Sequence, residues 1–429
     1  MTAPQPLQIG KILDPTPPAP AGRPRIFLSI VLGIPFLALV ATLAFCAWVD
    51  PFGLYRWFPE RPGFNAHKPR QQSHERMVRA ADLSRLAPDA IILGTSRAQV
   101  GLDPEAPAWA GVAQRPANSA FSDGTPYEAL RYLEHAHRQS KIKFAVIGVD
   151  YLSFVGDVRN SPDYSDDRLA TSKRHAPQPF FRWADAPSAL MSFDALRISR
   201  RTLLEQDQPS YFTDRGRRNT FTMEQRIVDQ QGARGAILWS ERDYADSYHC
   251  ADPDRLAVHL KDFEALVAFA RAEGITLVVM TSPSHVRSLQ LLRETGLWPE
   301  VERFKSAVAK ISHDAGFAFW EFGIADARTT AEEVPPLGDK AARMRWYWES
   351  SHFKKELGDV ALARVLGRPM PESLVDWGTV VAPDSLDAVL AKVSDGLSAW
   401  ATAHPTDVEE IRKVVTEARA AQVCRRRQP

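Results

Sequence analysis

Three short stretches carry residue types that can do nucleophilic chemistry together. The first is Gly94-Thr95-Ser96-Arg97, which closes the apolar run from Ala90 to Leu93. The second runs from Asn118 to Gly124, and the third is Glu349-Ser-Ser-His352. A serine hydroxyl is a weak nucleophile until a base stands within hydrogen-bond reach. Acyl transfer also needs a group to orient the imidazole and donors for the oxyanion. A glutamate three residues before a histidine, on a turn, can reach the ring's Nδ1 and leave Nε2 for the serine. The first two stretches have plainer alternatives. Ser96 can simply cap a helix, and many helices open as the second stretch does and bind nothing.

The spacing predicts elements that would bring these stretches together. Ala90 to Leu93, bounded by Pro88 and Gly94, reads as a strand buried on both faces. Lys143 to Asp150, Ile275 to Met280 and Phe317 to Phe322 read as further strands. Between them, Thr125, Pro126 and Glu128 fit an N-cap, a first helical residue and a capping-box partner. Ser122, Asp123 and Gly124 therefore sit ahead of a helix N-terminus, where free amides favour negative charge. Helical stripes close at Gly274 and Gly316, and another helix follows His352 from about residue 355 to 366. The predicted fold is α/β, a doubly wound, mainly parallel sheet of four or five strands. Its ligand crevice lies outside the carboxyl ends of the strands, where Ser96, the second stretch and Glu349 with His352 would converge.

Other residues near the predicted strand ends have two readings each. His285 can line the same pocket or start a helix bonded to backbone. Arg97 can bind an anionic substrate or pair with a surface acid, and pairing is favoured. Trp346 and Trp348 can stack on sugar rings, although large aromatics beside a strand are more often core.

A formal net charge of +1 excludes a global field toward nucleic acid, and no basic patch is interleaved with aromatics. Ile26 to Val49 has no charged residue and the length of a bilayer span. Arg23 and Arg25, with Lys11 further out, precede it, which favours a cytoplasmic N-terminus. A cleaved signal peptide competes, but the apolar run is longer than a usual signal core. Leu43-Ala-Phe-Cys46 departs from a lipoprotein box at Phe45. Cys250 and Cys424 allow at most one disulfide, and no cysteine–histidine spacing suggests a metal site. The expected organisation is a cytoplasmic tail (1–25), an anchor (26–49), a juxtamembrane connector (50–84) and an α/β domain (85–370). That domain would carry an insertion over about 151–250, with one helical segment near 186–204. C-terminal helices and a basic tail would occupy 371–429.

Taken together, Gly94-Thr-Ser96, Asn118 to Gly124, Gly148-Val-Asp150 and Glu349-Ser-Ser-His352 resemble the block order of SGNH (GDSL-like) hydrolases. The resemblance covers roughly residues 85–155 and 275–368. It is closest to the membrane-anchored branch similar to alginate O-acetylation proteins and the D-alanyl transfer protein of teichoic acids. It implies Ser96 as nucleophile, His352 as general base and Glu349 as orienting acid, where the family usually has aspartate. The Ser96 amide and a glycine amide, here Gly124, would hold the oxyanion. Two departures stand out. Asp123 occupies the usual glycine position of the second block, and Asp150 stands where the family has asparagine. An ionised Asp150 facing an oxyanion would repel it, and Asn118 is the candidate replacement donor.

The resemblance implies a serine esterase or O-acyltransferase, with acetyl as cargo, acting on an envelope or exported polysaccharide. It needs no cofactor and no metal. It implies a place in the bacterial inner membrane with the catalytic domain on the periplasmic side, and an integral-membrane acyltransferase as partner. The alternative is a catalytically silent module that binds glycan or scaffolds a polysaccharide-modification complex.

Overall fold

The computed structural model describes residues 24–421. Most of the expected cytoplasmic tail, Cys424 and the Arg425–Arg427 cluster lie outside the described residues. The described residues begin with α1 (Pro24–Val49), the one helix among them long and apolar enough to cross a membrane. The elements after it are α2 (Glu75–Leu86), β1 (Ala90–Gly94), α3 (Ser96–Gly101), β2 (Pro116–Asn118), α4 (Pro126–Ser140) and β3 (Phe144–Val149). Next come α5 (Ala186–Leu190), α6 (Phe193–Leu204), α7 (Phe221–Asp229), α8 (Ala233–His249), α9 (Leu256–Ala272) and β4 (Thr276–Thr281). The last are α10 (Val286–Glu294), α11 (Trp298–Asp314), β5 (Ala318–Glu321), α12 (Lys355–Val365), β6 (Thr379–Val381), α13 (Leu386–Ala403) and α14 (Pro405–Ala421).

The strands form one sheet in the order β2-β1-β3-β4-β5-β6. The first five are parallel, and β6 pairs antiparallel with β5. Along β1, Ile91 and Leu93 enter the core on one face, while Ala90 and Ile92 enter the core on the other. A strand covered on both sides must be apolar throughout, which is why these runs do not alternate. The α4 capping box forms as expected, with the Thr125 hydroxyl and the Glu128 carboxylate each accepting the other's amide. The order reverses at the β1–β3 pair, and open sheets of this kind place ligands in the crevice at such a reversal. Ser96 follows β1 there, and Asp150 follows β3.

Four features differ from expectation. The 50–84 segment is not only a connector, because α2 packs on α4 and contributes Ala80 and Leu83 to the main core. The C-terminal helices are not an appendage: Val389, Leu397, Trp400 and Ile411 belong to that same core. The sheet has a sixth strand, β6, whose three residues are too short for periodicity to register. The 151–250 segment holds α5 to α8 rather than one helical segment, and α8 packs against α10 and α14.

Candidate active site

Ser96 is delivered by a sharp strand-to-helix turn. Gly94 ends β1 with φ +133°, and a Cβ there would lie 2.5 Å from the Gly148 carbonyl oxygen of β3. Only glycine fits both the conformation and the space. Thr95 then caps α3, accepting from the Arg97 amide, and Ser96 is the first helical residue. Its amide therefore has no acceptor inside the helix.

The histidine reaches the serine because α3 and α12 touch backbone to backbone. A Cβ on Gly358 of α12 would sit 1.8 Å from the Gly101 carbonyl oxygen, and a Cβ on Gly101 would overlap the Phe353 ring. Phe353 follows His352 directly, so this contact fixes the distance between the His352 ring and Ser96. Gly358→Ala is expected to force the helices apart. Overpacking of this kind costs about 1–3 kcal/mol. A displacement near 1 Å costs on the order of a hundredfold in rate. Thermal melting and ester hydrolysis measured on the same preparation check both effects.

Within the loop between β5 and α12, Tyr347 and Phe353 form an antiparallel bridge, and the Trp348 amide donates to the His352 carbonyl at 3.0 Å. That tight loop turns Glu349 back on its own chain. Its carboxylate accepts the Ser351 amide at 2.9 Å, the His352 amide at 2.8 Å and the His352 Nδ1 hydrogen. On the other side of the ring, His352 Nε2 lies 2.8 Å from Ser96 Oγ. The chain Ser96–His352–Glu349 is thus continuous. Glu349 is fully buried, and burial alone would favour its neutral form. The His352 ring, the Ser240 hydroxyl and the Ser351 amide outweigh burial and hold its pKa at about 2. Glu349 is therefore a carboxylate at neutral pH.

Both carboxylate oxygens of Asp150 are engaged. It accepts from Arg97 Nη1 at 2.7 Å, from the Ser282 hydroxyl at 3.1 Å and from the Thr95 hydroxyl. Arg97 is accordingly a buried partner of Asp150 and not of a surface acid. Its Nε donates to Ser351 Oγ at 2.7 Å, which in turn meets the Tyr244 hydroxyl at 2.8 Å. Burial opposes the Arg97 charge, but Asp150 beside it drives its pKa well upward. The Asp150 charge is thus neutralised by Arg97, which stands on α3 next to Ser96.

Three other expected site residues are engaged elsewhere. The Gly124 amide donates to the Phe121 carbonyl at 3.2 Å, closing a turn, so it is not an oxyanion donor in this arrangement. A Cβ on Gly124 would meet the Gly94 carbonyl at 2.5 Å, so this loop lies directly against the turn carrying Ser96. The residue of the loop in the left-handed region is Asp123 (φ 52°). The Asn118 amide group donates to the Ala98 and Leu102 carbonyls at 2.9 and 2.8 Å, and its oxygen accepts the Ala120 amide. Asn118 therefore ties α3 to β2 and has no donor left for substrate. His285 is the N-cap of α10: Nδ1 accepts from the Arg287 amide, and Nε2 donates to the Glu332 carbonyl. Burial pushes its pKa down to about 4, so it is a neutral structural ring. Trp346 is core, with its indole N–H on the Arg328 carbonyl. Trp348 carries the Lys354 ammonium over its ring at 4.7 Å.

Residues that sequence reasoning missed come mainly from α8. Ser240 supports Glu349, and Tyr244 holds Ser351. Glu241 forms a bidentate pair with Arg287, with both side chains wholly buried. Arg287 also bonds Asp407 and Glu410 of α14, which locks α8, α10 and α14 together behind the loop that carries Glu349 and His352. Thr95 and Ser282 could have been found, since each is a hydroxyl immediately after a buried strand.

No family model, no curated protein and no solved structure matches this chain. Its class is therefore read from its own geometry. It is a mainly parallel α/β sheet with a hydrogen-bonded serine, histidine and glutamate at the strand-order reversal, behind an apolar N-terminal helix.

Proposed function

We propose that the chain is a membrane-anchored serine esterase or O-acyltransferase whose domain lies outside the cytoplasm and acts on an envelope or exported polysaccharide. The observation that carries this reading is the unbroken Ser96–His352–Glu349 hydrogen-bond chain. His352 Nε2 takes the Ser96 proton as Oγ attacks an acyl carbonyl, and the oxygen of the tetrahedral intermediate faces the Ser96 amide at the start of α3. His352 then returns the proton to the departing alcohol, leaving acyl-Ser96. Water or a sugar hydroxyl, deprotonated by the same nitrogen, releases the acyl group. By resemblance the cargo is acetyl, and an integral-membrane partner supplies it. The basic residues Lys11, Arg23 and Arg25, on the N-terminal side of the apolar run, favour the orientation.

A second reading, a silent glycan-binding or scaffolding module, is favoured by one observation: the Gly124 amide and the Asn118 side chain, both candidate oxyanion donors, are bonded internally. Hydrolysis of an aryl acetate by the full chain in detergent separates the two. Turnover that falls by several orders of magnitude in Ser96→Ala and in His352→Ala is expected, since members of such a relay act as a unit. Absence of turnover in the wild type, or turnover unchanged by both substitutions, favours the module.

A further inference from the structure

Outside α1, the three most exposed large apolar side chains among the described residues are Phe193 (82%), Phe180 (78%) and Leu204 (68%). All three fall within 25 residues of sequence, around α5 and α6. That segment packs on the end of α1: Leu43, Phe45 and Cys46 share a core with Ala189, Ala195 and Ile198. At 1.5 Å per residue, about 20 residues from Ile26 cross a hydrocarbon layer of roughly 30 Å. Cys46 to Val49 then sit at headgroup depth, and α6 is held at that level.

The outward stripe of α6 reads Phe193, Arg197, Arg200, Leu204, a spacing of four, three and four that stays on one helical face. Its buried positions, Ala195, Ile198, Ser199 and Thr202, point the opposite way, toward α1 and the body of the domain. Arg197 pairs with Asp194, while Arg200 and the adjacent exposed Arg201 make no ion pair among the described residues. Apolar and basic side chains on one solvent-facing stripe are wrong for a free surface. They suit a helix lying in the bilayer interface, with rings and leucines in the acyl boundary and guanidinium groups at the phosphates. Beside it, a cavity of about 420 Å³ is lined by Tyr55, Trp57 and Trp183 and by Arg56, Arg85 and Arg182. Aromatics of this kind collect at the membrane–water boundary.

We propose that the face formed by residues 180–204 lies on an anionic bilayer, so that the domain is held flat against the membrane and does not swing on a tether. The proposal rests on α1 remaining as a bilayer span. Two acidic side chains face the same region, Asp194 and Asp185, and each is paired with an arginine.

The test uses the full chain in nanodiscs of phosphatidylcholine and phosphatidylglycerol containing a lipid with a diazirine in its acyl chain. After photolysis, peptides from α1 and from 180–204 are both expected to carry lipid adducts, the second at no less than about a third of the first. The double variant Phe193→Glu with Leu204→Glu changes only exposed positions. It is expected to lower adducts in 180–204 at least fivefold while those in α1 stay constant. Adducts confined to α1, or adducts in 180–204 that the double variant does not change, overturn the proposal. Absence of adducts in α1 overturns the anchor, and the proposal with it.

Discussion

Replacing Glu349 by glutamine is expected to lower kcat for an aryl acetate by about a thousandfold to ten-thousandfold, with a fall in melting temperature of the size that one unsatisfied buried amide causes, a stability loss of about 1–3 kcal/mol. The size follows from what a carboxylate does for the imidazole of such a relay. Ionised Glu349 only accepts, so the ring must carry its proton on Nδ1, and Nε2 is left bare toward Ser96 at 2.8 Å. Glutamine offers an N–H₂ in nearly the same volume. Pointed at Nδ1, that group reverses the tautomer and puts a hydrogen where the serine proton must go. Glu349→Asp keeps the charge on a shorter stem and is expected to lose far less. Since Glu349 titrates at about 2, it stays ionised at any pH where the assay runs. The acid limb of the wild-type profile must then belong to another group, and the glutamine variant loses rate at every pH and does not merely shift the curve.

Arg287→Ala is expected to be the most destabilising single change outside the relay. Arg287 and Glu241 are both fully buried and bonded in two places at 2.9 and 2.8 Å. Removing one partner of such a pair typically costs about 3–5 kcal/mol, because the other charge stays buried without compensation. The pH dependence has a defined sign. Burial already raises the Glu241 pKa, and Arg287 works against that rise. Without the arginine the carboxyl rises further above its unfolded value. It is then tolerated in its neutral form at low pH and becomes progressively costly as pH climbs through its folded pKa. Denaturant titrations should therefore show a larger deficit at pH 8 than at pH 5. Replacing both residues by apolar ones of similar size removes the orphan charge and should recover much of the loss.

That Ser96, His352 and Glu349 come together was legible because each sits in a short-range motif near a strand end. Ser96 closes an apolar run at a glycine, and Glu349 and His352 stand three apart on a turn. What Asn118 and Gly124 do was not legible, because their partners Ala98, Leu102 and Phe121 are chosen by how two loops fold over each other. The α8 helix escaped for a different reason. Its buried positions include Ser240, Glu241 and Tyr248 among alanines, so no apolar stripe marks the face that supports the catalytic loop. That face is satisfied by Arg287 and by hydroxyls, and pairs of this kind cannot be read from periodicity. The C-terminal stripe of Val389, Val393, Leu397 and Trp400 marks a helix but not the surface it covers. The reversal of strand order at β1 and β3 puts all of this in one crevice, and Arg97 explains how an aspartate can occupy position 150 beside it.

The most direct measurement of the central claim is covalent: full-length chain treated with a fluorophosphonate, digested and mapped by mass spectrometry. A single adduct on Ser96, absent when His352 is replaced by alanine, is the expected result. No adduct on the wild type, or an adduct on Ser96 that forms equally fast without His352, would contradict it.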